Sequence, residues 1–99
     1  MAKKKDPANA TPKERLLAAL SGAQKGGETF FAVQMTAPGM SAPELVLIPA
    51  VNYENKRTNY EGGYDDLLRN LANSSVRLLA WGAGETEMQA IEAARGMEV

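Results

Sequence analysis

The chain contains neither histidine nor cysteine, and this narrows its chemistry more than its near-neutral charge does. Without imidazole or thiol there is no Ser-His or Cys-His nucleophile, no zinc finger, no disulfide framework and no imidazole pH switch. Aromatic residues are few, with two Phe, three Tyr and one Trp among 99 residues. Long apolar runs are missing too. Nothing approaches the roughly 18 apolar residues of a membrane span, and the basic start Met1 to Asp6 leads into no apolar signal segment. The expected address is a reducing cytoplasm. What remains is ordinary for a single globular core, with 44% hydrophobic and 23% charged residues.

Charge is unevenly placed. Up to Lys25 there are six basic residues (Lys3, Lys4, Lys5, Lys13, Arg15, Lys25) against Asp6 and Glu14. The remainder carries five basic and ten acidic residues. Residues 1–10 read as a disordered basic arm and 11–99 as a single α/β domain. Three lysines on such an arm give weak, salt-sensitive contact with phosphates, so nucleic acid is an unfavoured partner for the acidic body.

Thr11-Pro12-Lys13-Glu14 is a helix start, with Thr as N-cap, Pro at the first helical position and Glu at the capping-box position. Leu16, Ala19, Leu20 and Ala23 follow with helical spacing, and Gly26-Gly27 stops the helix. Glu28 to Thr36 reads as a strand with Phe31, Val33 and Met35 on one face and Phe30, Ala32 and Gln34 on the other. After a proline-rich loop, Glu44 to Ala50 reads as a second strand, apolar on both faces and therefore expected at the centre of the sheet. Tyr53, Arg57, Tyr60, Tyr64, Leu67, Leu68 and Leu71 recur at spacings of 4, 3, 4, 3, 1 and 3, which predicts a helix from about Tyr53 to Ala72 with Asn52 as N-cap. Gly62-Gly63 opposes that reading, at roughly 1 kcal/mol per glycine, and marks either a break or a close approach. Val76 to Trp81 reads as the third strand, Gly82-Ala83-Gly84 as a tight loop, and Thr86 to Arg95 as a last helix with a Thr86/Gln89 capping box. The fold class is then α+β, a two-layer α/β arrangement with a three-stranded mixed sheet in the order α-β-β-α-β-α. The first two strands form an antiparallel hairpin, and the helix between the second and third implies a parallel crossover. So small a core with two sheet edges favours a homo-oligomer.

Two places have equipment for holding an anion. One is the Gly82 to Gly84 loop, which would offer bare N–H groups at a helix N-terminus, although Glu85 and Glu87 oppose a phosphate there. The other is the middle helix, where Asn52, Lys56, Arg57, Tyr60 and Tyr64 combine cations with rings able to stack on a base. The ligand-binding set is thus Asn52, Lys56, Arg57, Tyr60, Tyr64, Gly82 and Gly84. Asp65 and Asp66 are adjacent and so point about 100° apart on a helix, which excludes a carboxylate dyad. The serines lack a base, and no calcium-loop pattern occurs. No enzyme, cofactor or metal is expected. Met35 and Met88 read as core fillers and Met40 as exposed.

Asn52-Tyr53-Glu54-Asn55-Lys56, then Tyr60, Tyr64-Asp65-Asp66 and Leu68, followed by Val76-Arg77-Leu78, resembles small uncharacterised proteins of bacteriophages and prophages. The likeness runs over residues 48–79. It implies an intracellular phage or mobile-element origin and transfers no activity and no catalytic residue. The leading expectation is a non-enzymatic phage-type accessory protein that sequesters a nucleotide-like anion or occludes a host protein. The alternatives are a structural or protein-interaction module presenting Phe30, Met40 and Trp81, and a weak nucleic-acid binder using the lysine arm.

Overall fold

The computed structural model describes residues 10–97; the basic arm expected before them lies, up to residue 9, outside the described residues. Helix α1, Pro12–Gly26, begins at the box formed by Thr11 and Glu14: Thr11 Oγ1 accepts from the Glu14 N–H at 3.1 Å and Glu14 Oε1 from the Thr11 N–H at 2.9 Å. Its stripe of Leu16, Leu20 and Ala23 is buried, and Gly27 ends it in a left-handed conformation at φ 73°. Strands β1 (Phe30–Thr36) and β2 (Glu44–Pro49) form the expected antiparallel hairpin. A 3-10 turn, Ala50–Asn52, leads into helix α2, Tyr53–Gly63; strand β3, Arg77–Gly84, and helix α3, Glu87–Gly96, complete the chain. No helix among the described residues is long and apolar enough to cross a membrane.

The sheet order is β2-β1-β3 with both pairings antiparallel, so it is not mixed. β2 and β3 do run the same way, as a crossover through α2 requires, but β1 lies between them and they never pair. β2 is an edge strand rather than the central one. It is apolar on both faces because helices cover both faces, which makes the arrangement three-layered where two were expected. On one side Phe31, Val33, Ile48, Leu78 and Trp81 pack with Leu16, Leu20, Tyr53, Tyr60 and Leu68. On the other, Ala32 packs with Ala90 and Ala94, flanked by Phe30, Leu45, Leu47 and Ile91. The two faces of β1 divide as its alternation predicts.

The β1–β3 register slips once. Gln34 lies opposite Ala80 and Met35 opposite Leu78, leaving Leu79 as a bulge residue.

Gly82 and Gly84 are not a loop. They belong to β3 and lie beneath α3. A Cβ on Gly82 would sit 2.4 Å from the Ala93 Cβ and 2.6 Å from the Ala94 N; one on Gly84 would sit 2.5 Å from the Gln89 Cβ. Glycine here removes the side chain that would hold the helix off the sheet. Gln34 ties the same layer, its Nε2 donating to the Ala94 carbonyl at 2.9 Å. The Thr86/Gln89 box closes as expected, with Thr86 Oγ1 accepting from the Gln89 N–H at 3.1 Å. Met88 is 60% exposed on α3 and fills no core, because the sheet-facing positions of this helix are alanines.

α2 stops at Gly63 instead of running to Ala72. No atom lies within 4 Å of a Cβ built on Gly62 or Gly63, so the glycine pair marks a break and no close approach within the chain.

Opposite responses are expected from two glycine-to-alanine changes. Gly82→Ala should destabilise by at least about 1–3 kcal/mol, since backbone atoms of α3 must move. Gly62→Ala, in open helical surroundings, should stabilise by about 0.4–1 kcal/mol. Denaturant midpoints for the two variants check both signs.

Candidate functional site

The residues expected to hold an anion do not converge. Asn52 is exposed and, although it stands at the N-cap of α2, makes no capping bond. The Arg57 guanidinium turns towards α1, its Nη1 donating to Gln24 Oε1 at 3.0 Å and Ser21 Oγ at 3.3 Å, with Glu54 Oε2 4.0 Å away. It fastens two helices. Lys56 is half-buried, its Nζ 6.0 Å from the centre of the Tyr60 ring, at the outer limit of a cation–π contact. Tyr60 is buried in the core, edge-on to the half-buried Tyr64 with ring centres 5.6 Å apart. Only Lys56, Tyr60 and Tyr64 come together. Gly82 and Gly84 lie on the opposite side of the sheet, covered by α3.

Tyrosines that read as a binding face are core residues. Tyr53 is fully buried, its hydroxyl donating to the Glu28 carbonyl at 2.8 Å. Burial, and secondarily the Glu28 charge, pushes its phenol pKa up. Burial pushes Tyr60 to about 12, with Tyr64 adding to the effect.

A different feature is built by the chain after α2. Tyr64 and Asn70 bridge antiparallel, and the turn between them is organised by Asp65. The Asp65 carbonyl accepts from the Leu68 N–H at 2.9 Å, and its own N–H donates to the Arg69 carbonyl at 2.9 Å. Its Oδ1 accepts from the backbone N–H groups of Leu67 at 3.0 Å and Arg69 at 2.9 Å, while Oδ2 accepts from Arg69 Nε at 2.8 Å. Leu68 follows the turn at φ 62°, the left-handed position that three-residue hairpin loops usually give to glycine. A leucine is held there because its side chain is buried in the core and its carbonyl accepts from the Leu78 N–H at 3.0 Å. Arg69 and Arg77 then bridge, stitching the hairpin to the start of β3. From α1, the Lys13 N–H donates to the Asp66 carbonyl at 3.2 Å and Lys13 Nζ to that of Tyr64 at 2.9 Å.

Between this hairpin, α1 and β3 lies a cleft of about 190 Å³, lined by Pro12, Leu67, Leu68, Arg77, Leu78, Leu79 and Trp81. Six of the seven are apolar or aromatic. Leu67, 56% exposed, is one of its walls, and Leu71 on the same segment is 65% exposed. Trp81, expected as an exposed contact residue, is buried and contributes a wall; Phe30 is half-buried and Met40 exposed. Helical spacing concealed the cleft. The usable signal was Asp65 two residues after the glycine pair, since Asp starts turns by accepting from the N–H two residues on. No three acidic side chains among the described residues gather as a metal site. No family model, no curated protein and no solved structure matches the chain.

Two titrations report on this layer. The Asp65 carboxyl is held below its ordinary value, first by the Arg69 backbone N–H; desolvation opposes this, and the Arg69 side chain and the Leu67 N–H add to the lowering. A lowered native pKa means stabilisation that is complete above the unfolded value of about 3.9 and lost as pH falls through the native one. The Leu67 and Arg69 amide resonances should therefore shift together, with a midpoint below about 3.9, and the transition should vanish in Asp65→Ala. Tyr60 behaves oppositely: with a raised native pKa, stability is intact below about pH 10 and falls as pH rises towards 12. Denaturant midpoints should drop across that window, and drop less in Tyr60→Phe.

Proposed function

We propose that this chain is a non-enzymatic binding protein that acts by stoichiometric capture, with the cleft beneath the Tyr64–Asn70 hairpin as its working surface. One observation carries the reading: an apolar cleft walled by Leu67, Leu68, Leu78, Leu79 and Trp81 has the exposed Leu67 in its wall, and Leu71 is exposed on the same segment. Exposed leucines bordering a concave apolar surface are the mark of a binding patch more than of a folding requirement. A nucleotide-like anion at α2 is the less favoured ligand, because Arg57 is committed to α1 and Tyr60 is interior. Within this reading the phage resemblance sets the capture in the cytoplasm of a host cell.

Self-association belongs to the same reading as a second component. The sheet ends on β2, whose outer edge meets no other strand among the described residues, and a second copy can extend it.

The test is native mass spectrometry of protein isolated from its own host background, compared with the double variant Leu67→Asp and Leu71→Asp. Both side chains are solvent-exposed, so the melting temperature should move by only a few degrees. The retained partner should be lost. Undiminished retention in the double variant would overturn the assignment of the cleft.

A further inference from the structure

The rest of the chain treats the two edges of the sheet differently. The outer edge of β3 is taken up: the Leu78 N–H donates to the Leu68 carbonyl at 3.0 Å, the Trp81 N–H to the Met97 sulfur at 3.2 Å, and Arg77 bridges Arg69. The outer edge of β2 meets no other segment among the described residues. Which of its groups point outward follows from the ladder. The Ala50 N–H donates to the Thr29 carbonyl at 2.9 Å, and Ile48, Val46 and Glu44 keep that phase against Phe31, Val33 and Met35. The N–H and carbonyl groups of Leu45 and Leu47 therefore point away from β1, as does the nitrogen of Pro49. Pro43, just before the strand, stands at the same phase. The free edge is thus a pair of leucines able to extend the ladder, bracketed by prolines that have no N–H to give.

We propose, resting on the self-association component of the reading above, that a second copy of this chain adds antiparallel along β2 with the two-fold axis through Val46. Pro43 and Pro49 stand symmetrically about that residue. In this register Leu45 lies opposite Leu47 of the second copy, every outward N–H and carbonyl of both leucines is paired, and proline meets proline. Moving the axis to Leu45 or to Leu47 sets a leucine carbonyl against a proline nitrogen and leaves that carbonyl without a donor. An edge that matches its own two-fold image is what an isologous contact requires, and such a contact closes at two copies. Charge allows it. Glu44, the one charged residue of β2, falls opposite Ile48 and not opposite itself, and the net charge of −1 leaves little repulsion between copies.

The side chains along the edge fit the same occupant. Leu45 and Leu47 lie with Phe30 and Ile91 on the α3 side of the sheet, yet stay half-buried because α3 lies over β3 and β1 and barely reaches β2. Their counterparts from the second copy complete this cover. Met40 and Val51, both exposed, stand before and after β2, and antiparallel pairing brings the Met40 end of one copy to the Val51 end of the other.

The chain has no cysteine of its own, so single introduced cysteines read the register directly. The experiment oxidises the full-chain variants Glu44→Cys, Leu45→Cys, Val46→Cys and Leu47→Cys separately, beside sedimentation equilibrium of the unaltered protein. Sedimentation should give twice the chain mass. Disulfide-linked dimer should peak at Val46→Cys, the non-hydrogen-bonded pair on the axis, where facing Cα atoms stand about 4.5 Å apart. At the other three positions the two copies of the residue are offset along the strands, beyond the roughly 7 Å that a disulfide can bridge. A peak at Leu45→Cys or Leu47→Cys overturns the register, and a doubled mass with no link at Val46→Cys places the contact elsewhere and overturns the β2 edge. Either result leaves self-association standing. A monomeric mass at every concentration overturns the second copy and self-association together. The cleft lies at the β3 edge, so the leucine double variant reads the capture reading separately from all of these outcomes.

Discussion

The fold depends on how closely α3 can lie against the sheet. Gly82 and Gly84 present bare backbone to a helix whose nearest residues are Gln89, Ala90, Ala93 and Ala94, and a Cβ at either glycine would meet that helix at 2.4 to 2.5 Å. A thin seam on this side leaves the large side chains for the other. Phe31, Ile48, Tyr53, Tyr60, Leu16, Leu20 and Trp81 all gather between the sheet and the α1/α2 layer. The core of this short chain is therefore lopsided, its large fully buried side chains all lying on one face. Met97, just past the end of α3, accepts from the Trp81 N–H through its sulfur at 3.2 Å.

On the heavy side, the polar turn at Asp65 governs what the core exposes. One carboxylate takes three donors and bends the chain so that adjacent leucines part company: Leu68 goes into the core and Leu67 stays in solvent. The left-handed backbone at Leu68 costs on the order of 1 kcal/mol or more, which its burial and the contact with Leu78 offset. Strain of this kind persists only where the surroundings over-determine it, and here the surroundings include the cleft. Stability and the candidate site are thus linked through a single side chain.

Local signals were legible. Both capping boxes, the left-handed stop at Gly27, the β1–β2 hairpin and the division of β1 into two faces all depend on residues within a few positions of one another. What escaped depends on partners far along the chain. A glycine under a helix and a glycine in a loop look alike until α3 is in place. Leucines spaced to continue a helix are spaced equally well to enter a hairpin after Gly63. An edge strand covered on both faces has the composition of a central one. Tyrosines mark binding surfaces and interiors alike, and burial decides for the interior at Tyr53 and Tyr60. Lys56 and Arg57 lie half-buried on α2, and the Arg57 guanidinium is occupied by α1.

The bulge in β3 has a consequence for how this strand can change over generations. Every β1 residue from Phe30 to Thr36 has its partner in β3 without Leu79. Excising that residue would leave each of those pairs in phase and each side chain on its present face. The strand thus carries a letter that its own pairing does not read. Leu79 nevertheless forms part of the cleft wall, so a lineage that lost it would keep the sheet and reshape the cavity.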